Sequence, residues 1–353
     1  MPIDSFVKIL LPSTTAFVIG IAITPIVAHY LYKYKAWKKK ARTEGLAGGG
    51  TPIFNKLHKE KEVGTPRMGG IVIWGSVLLT TFLFWAISMV FPTPFSEKIN
   101  FLSNNQTWLP LFTLFAASLV GLIDDILMVR GGGTYIAGGL SLTRRIGLVL
   151  LIGLVGAWWF YFKLEYSAIP IPFLSESFEL GILFIPFFMM VMLSLFSGGV
   201  IDGLDGLAGG TMASIFAAYA GIAFFQDQID IAALSAVIAG GILAFLWFNI
   251  PPARFYMGET GMIGLTATLS VIAFLTEAVV PLLVIAFPLY LASASVIIQT
   301  SSKKMRNGKK VFLVAPIHHH FEALGWPAHK VTMRFWVVGV VFAIFGMIIA
   351  LIG

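Results

Sequence analysis

The chain has 353 residues, of which 58% are hydrophobic and 12% charged, with a mean hydropathy of +0.88 and a formal net charge of +7. No water-soluble domain hides that much apolar surface, so lipid is the solvent for most of the chain. The absence of cysteine excludes disulfides and thiolate metal sites.

An apolar helix crosses the hydrocarbon with roughly 20 residues. Segments of about that length occur at 6–32, 69–91, 109–128, 146–162, 180–197, 207–225, 231–249, 260–276, 279–300 and 332–352. They predict an all-α polytopic membrane protein of about ten transmembrane helices, a single integral membrane domain over 1–353. The shortest, near 17 residues, also fit re-entrant segments. The first is too long for the core of a secretory signal and runs into a basic stretch, so it reads as a retained anchor.

Between these segments lie loops near 33–68, 129–145, 198–206, 250–259 and 301–331, and the basic residues collect there. Ten fall between Lys33 and Arg67, and seven between Lys303 and Arg334; Arg130, Arg144, Arg145 and Arg254 fill the others. The alternate loops hold only Lys8, Lys98 and Lys163. Basic residues gather on the cytoplasmic side, so both termini are expected outside and the basic surplus reports topology rather than nucleic acid. The stretch "KYKAWKKKAR" (33–42) also suits anionic headgroups. The outer loops 92–108 and 163–179 carry no evident chemistry. No internal repeat is evident, which weighs against an inverted-repeat transporter, and no glycine cluster forms a phosphate loop.

Acids are scarce, 17 in all, so their positions inform. Five stand at cytoplasmic helix ends among apolar residues: Asp124 and Asp125 in "GLIDDIL", Asp202 and Asp205 in "VIDGLDGLAGG", and Glu259 in "FYMGETG". Each taken singly fits a helix cap or a headgroup-solvated end. Together, on one side of the membrane, they point to a function, because acids at membrane depth are expensive. Carboxylates without matching cations favour Mg²⁺ shared with substrate phosphate oxygens. Loop Lys, Arg and His with exposed glycine N–H groups then suit a pyrophosphate.

The stretch "VAPIHHHFEALGWP" (314–327) places His318, His319 and His320 side by side, followed by an acid. Adjacent residues do not all point at one centre, and no second ligand cluster accompanies them, so zinc is the weaker reading. We read a loop whose imidazoles donate to an anionic ligand.

Taken together, "GTPRMGG" (64–70), "GLIDD" (121–125), "DGLDGLAG" (202–209), "FLWFNIPPARFYMGETG" (245–261) and "VAPIHHHFEALGWPAHKVTMRFW" (314–336) resemble the phospho-N-acetylmuramoyl-pentapeptide transferase family over about residues 56–350. The histidine motif is the most specific, because other polyprenyl-phosphate sugar-phosphate transferases carry a shorter version. The resemblance implies ten helices, both termini outward and an active site on the cytoplasmic face of the bacterial inner membrane. The implied reaction joins undecaprenyl phosphate to UDP-MurNAc-pentapeptide, giving lipid I and UMP with Mg²⁺ as cofactor, in peptidoglycan synthesis. A homodimer is also implied, though no interface is legible in the chain.

By position, the resemblance gives Asp124, Asp125 and Asp202 catalytic roles. Asp124 and Asp125 match a pair proposed to deprotonate the lipid phosphate or to hold the metal. Gly203, Leu204 and Asp205 match the uracil pocket, Tyr256 replaces a Phe that stacks on the base, and His318, His319 and His320 line the nucleotide site. Asn249, Arg67 and Arg145 join the substrate-binding set, and Glu259 with Asp125 would hold Mg²⁺. Several positions depart from the family pattern: Glu259 for Asp, Met128 for Lys, Gly199 for Asn, Ile201 for Thr, and Arg67 for a common Thr. Arg130, Arg144 or Arg145 could restore the cation lost at Met128. Two other readings compete: transfer of another UDP-N-acetylhexosamine phosphate to the same carrier, and an ion-coupled transporter.

Overall fold

The computed structural model describes residues 3–39, 63–102, 105–131 and 139–353. The helices are α1 (Ile3–Lys33), α2 (Gly70–Val90), α3 (Pro94–Ile99), α4 (Asn105–Arg130), α5 (Leu142–Lys163), α6 (Phe184–Ser197), α7 (Leu207–Phe225), α8 (Ile229–Asn249), α9 (Glu259–Leu275), α10 (Val279–Ile285), α11 (Phe287–Met305), α12 (Ile317–Ala323) and α13 (Ala328–Ile352). Among the described residues, eight helices are long and apolar enough to cross a membrane, or nine if α10 and α11 make one bent span. The chain is a multi-pass membrane protein. Most of the headgroup stretch 33–42 is described, but residues 40–42 lie outside the described residues, as do the parts of the basic loops at 43–62 and 132–138.

Helix α9 has 17 residues, and every one from Thr260 to Leu275 is buried. A helix that is apolar all round belongs in the middle of a bundle. It packs against α4, α6 and α2, while α1, α8, α7 and α13 continue the bundle beside it. The lipid-facing helices look different. The apolar windows of α1 and α13 are each only 22% buried, whereas that of α8 is 78% buried.

Two sequence expectations change. The apolar run 279–300 is two helices meeting at 77°, not one. Pro288 sits in the first turn of α11, and a proline there lacks an N–H and crowds the preceding turn, so the helix cannot run through. The histidine segment is the short helix α12 rather than a loop. Pro316 occupies its N-cap position, and the Ser295 hydroxyl of α11 accepts the Ile317 N–H at 2.9 Å. The outer loops are also partly ordered. Thr93 and Ser96 form a capping box on α3, and Ala168–Ile169 pairs antiparallel with Phe178–Glu179, so among the described residues the fold is helical apart from one two-residue ribbon.

Candidate active site

Six chain segments meet at one end of the bundle: residues 63–69 before α2, the C-terminal turns of α4, the start of α5, the 198–206 segment, the 250–258 loop and the start of α9. Backbone ties hold them together. Tyr256 N–H donates to Pro66 at 2.8 Å, and Gly69 and Gly70 N–H donate back to Tyr256 and Met257 at 2.8 and 2.9 Å. This short ladder fixes Arg67 against the 250–258 loop. Asn249 works the same way. It is 2% exposed, its amide donates to the Phe255 carbonyl at 2.8 Å, and its oxygen accepts the Gly206 N–H at 3.0 Å. The sequence placed Asn249 with the substrate-binding residues; here both ends of its amide bind backbone, and it joins two site loops.

The structure brings Asp124, Asp125, Asp202 and Glu259 into one electrostatic cluster with Arg67 and Arg145 between them. Asp124 and Asp125 are fully buried. Asp125 accepts the Thr260 N–H at 3.0 Å, and the Glu259 N–H as well, so it caps α9, whose own N-cap Gly258 has no side chain. On its other oxygen, Arg67 Nε stands at 3.3 Å. Gly258 takes φ +74°, and a Cβ there would strike the Asp125 carboxylate, so only glycine lets the loop pass this close.

Asp124 accepts the Leu140 N–H on one oxygen and meets Arg145 Nη2 at 3.1 Å on the other. The same guanidinium places Nη1 2.7 Å from Glu259 Oε1 and donates from Nε to the Leu140 carbonyl at 3.2 Å. Arg145 is thus the cation beside Asp124, while Met128, in the helix itself, is buried at 5% exposure. Asp202 accepts the Gly258 N–H at 3.2 Å. Burial pushes its carboxyl up to about 6 against the lowering influence of nearby Arg67.

Beside this cluster lies the histidine helix. His318 and His319 are buried, and their rings meet edge-on at 4.3 Å between centroids. Both present Nε2 to Gly203, where an added Cβ would lie 2.9 Å from the His319 nitrogen and closer still to that of His318. His320 turns elsewhere. Its Nδ1 accepts the Leu313 N–H at 3.2 Å, and it lines a 430 Å³ cavity with Lys310, Phe312 and Leu324. The triplet therefore splits, two toward Gly203 and one away. Leu204 is buried, and Asp205 accepts the Ala253 N–H at 3.3 Å while its carbonyl accepts from Thr332 at 3.2 Å. The Tyr256 phenol is pushed up to about 12 by burial, with Asp205 adding to it, so it stays a neutral hydroxyl.

The profile of glycosyl transferase family 4 matches residues 107–277. The chain is 34% identical over 345 residues to the phospho-N-acetylmuramoyl-pentapeptide-transferase of Anoxybacillus flavithermus, covering 97% of each chain. It is 34% identical over 352 residues to that of Geobacillus thermodenitrificans, again covering 97% of each, and 32% identical over 340 residues to that of Bacillus subtilis, covering 94% of this chain and 95% of that one. The chain belongs to the phospho-N-acetylmuramoyl-pentapeptide-transferase family. The resemblance drawn from its five motifs therefore holds, and the class of enzyme is a membrane phospho-sugar transferase.

One residue of this transferase-family site, the acid after the histidines, had no role in the sequence reading. Glu322 is buried, and its carboxylate lies 2.7 Å from His319 Nδ1. The spacing was visible, since positions three apart share a helix face, but only once the segment is known to be helical.

The donor set is hard oxygen, which suits Mg²⁺. Among the described residues no three His, Asp or Glu groups form a ready cage.

Proposed function

We propose that the protein transfers phospho-MurNAc-pentapeptide from UDP-MurNAc-pentapeptide to undecaprenyl phosphate, giving lipid I and UMP at the cytoplasmic face of a bacterial inner membrane. The observation that carries this reading is the meeting of Asp124, Asp125, Asp202 and Glu259 with Arg67 and Arg145, directly beside the Gly203–His318–His319 wall. A pyrophosphate needs cations, and its nucleoside needs a shaped polar pocket; the two lie side by side.

The lipid phosphate oxygen attacks the β-phosphorus, the bond from that phosphorus to the bridging oxygen breaks, and UMP leaves with the electron pair. Asp125 and Glu259 would hold Mg²⁺, which would supply positive charge to the pyrophosphate. Arg67 and Arg145 add donors that suit phosphate oxygens. Asp202, with its raised carboxyl, is suited to take a proton from a lipid phosphate that arrives protonated, because a base titrating near working pH serves best. Gly203, Leu204 and Asp205 hold the uracil edge, Tyr256 stacks on the base, and His318 and His319 close the wall. His320 stands at one remove, lining the neighbouring cavity.

The finer topology belongs to the same proposal. The bent pair and the enclosed α9 raise the eight long helices to ten membrane-embedded elements, with both termini outside. The single domain, 1–353, and a homodimer complete the reading. Purified protein given UDP-MurNAc-pentapeptide, undecaprenyl phosphate and Mg²⁺ should release UMP. UMP release only from another UDP-N-acetylhexosamine would reassign the donor, and no UMP release from any donor would remove the enzyme.

A further inference from the structure

We propose that Arg145 is an exchangeable occupant of the divalent-cation site, a guanidinium that holds Glu259 until nucleotide phosphates draw it away. The proposal deepens the transferase reading and rests on its assignment of Glu259 to the metal.

The geometry of the guanidinium is asymmetric. Its inner side is anchored, with Nε on the Leu140 carbonyl at 3.2 Å and Nη2 on the fully buried Asp124 at 3.1 Å. Its outer side, Nη1, meets Glu259 Oε1 at 2.7 Å, and the Glu259 side chain is 24% exposed against 0% for Asp124. The outer contact therefore faces the open side of the cluster. Arg145 is rooted in the first turn of α5, where the Ser141 hydroxyl caps the helix.

A guanidinium nitrogen 2.7 Å from Glu259 Oε1 draws on the charge of that carboxylate and lowers its affinity for a divalent ion. Two cations on one carboxylate repel, and the surroundings screen them poorly. While Arg145 occupies Glu259, the carboxylate is neutralised and a divalent ion alone binds weakly. Phosphate oxygens compete with Glu259 for the N–H groups of Nη1. When Nη1 moves to phosphate, Glu259 is freed for the ion. Nucleotide and divalent ion should therefore bind cooperatively, each strengthening the other by the same factor.

The test is Mn²⁺ binding to the purified full chain, read by the electron paramagnetic resonance signal of free Mn²⁺, with and without UMP. In the wild type, UMP should tighten Mn²⁺ binding by about tenfold, within the roughly 5–150-fold range of coupled sites. Arg145→Gln should tighten Mn²⁺ binding without UMP by about tenfold and shrink the UMP effect. Arg145→Lys, which keeps the charge but not the fork, should fall between and covers the chance that the glutamine variant does not fold. Glu259→Gln should lose Mn²⁺ in every background. If Arg145→Gln and Arg145→Lys bind Mn²⁺ no tighter than the wild type while Glu259→Gln still loses it, the exchange is wrong and the metal site stands. If Glu259→Gln binds Mn²⁺ like the wild type, the metal assignment itself fails, and the exchange with it.

Discussion

The carboxylate cluster and the histidine wall sit side by side but are held by different forces. In the cluster, buried acids are balanced by two guanidiniums, with Arg67 on Asp125 and Arg145 spanning Asp124 and Glu259. Its state depends on charge. The histidine wall is held by backbone and shape. Ser295 accepts the Ile317 N–H, Gln299 takes the Val311 and Phe312 N–H groups at 3.0 and 2.9 Å and returns its amide to the Phe312 carbonyl at 2.8 Å, and Ser302 donates to the Lys309 carbonyl at 2.9 Å. These three residues line one face of α11 and lace the 309–317 segment to it. A charge-removing isostere should thus ruin the first region and only loosen the second.

The sharpest case is Glu259. Glu259→Gln should abolish transfer with Mg²⁺ or Mn²⁺, whereas Glu259→Asp should stay active and move preference toward Mg²⁺, because the longer arm of Glu tolerates the looser ion. Lipid I formation against metal concentration reads both. Retained activity in Glu259→Gln would make Glu259 a helix-end acid and move the metal elsewhere.

Asp125→Asn comes next. The Asn oxygen can still accept the N–H groups at the start of α9, but Arg67 loses its counter-charge, so the melting temperature should fall, while turnover falls by about a hundredfold or more, the scale of losing an acid–base or electrostatic partner. Activity that falls only as far as the folded fraction would show a structural cap and nothing else.

Asp202 predicts the pH profile. Burial pushes its carboxyl up to about 6, so it is charged above that pH and protonated below. If it is the base, turnover should fall on the acid side of about pH 6 by about tenfold per pH unit, as for loss of a single required charge. A flat profile down to pH 5 would remove it from that role. The same sign governs stability, since a raised acid binds its proton more tightly when folded. Asp202 therefore weakens the fold as pH rises from 3.8 toward 6.

On the histidine side the effects are smaller. His319→Ala should weaken UMP binding by about tenfold, the worth of one hydrogen bond to a charged group, and leave the protein folded in detergent. Glu322→Gln, which keeps an acceptor for Nδ1–H, should cost less than Glu322→Ala. Asn249→Ala should lower stability by about 1–3 kcal/mol, because a buried N–H and a buried carbonyl lose their partner, and thermal melting checks it.

What the sequence revealed follows the same division. The apolar segments were legible because lipid imposes length and composition on anything that spans it. Their surroundings were not: α9 reads like a lipid-facing span, yet it is enclosed by protein, and an apolar environment of either kind selects the same residues. The break before Pro288 was hidden because its flanks are equally apolar. Asp124, Asp125, Asp202 and Glu259 stood out because acids are rare in such a chain. The pairings of Asp125 with Arg67 and of Glu259 with Arg145 span 58 and 114 residues of sequence and needed the fold. Glu322 was given no role because "HHHFE" was read as loop, and a loop gives no reason to join His319 to a residue three places on. The departure of His320 from its neighbours follows from the helix too, since successive helical residues face different ways.

The central claim is that charge at the carboxylate cluster drives transfer of a sugar phosphate to a lipid phosphate. The most direct measurement is UMP and lipid I formation by the purified protein from UDP-MurNAc-pentapeptide and undecaprenyl phosphate, run beside Asp125→Asn at matched folding. The account predicts equimolar UMP and lipid I from the wild type, with about a hundredfold less of both from the variant. Equal product from the two proteins, or UMP released without lipid I, would contradict it.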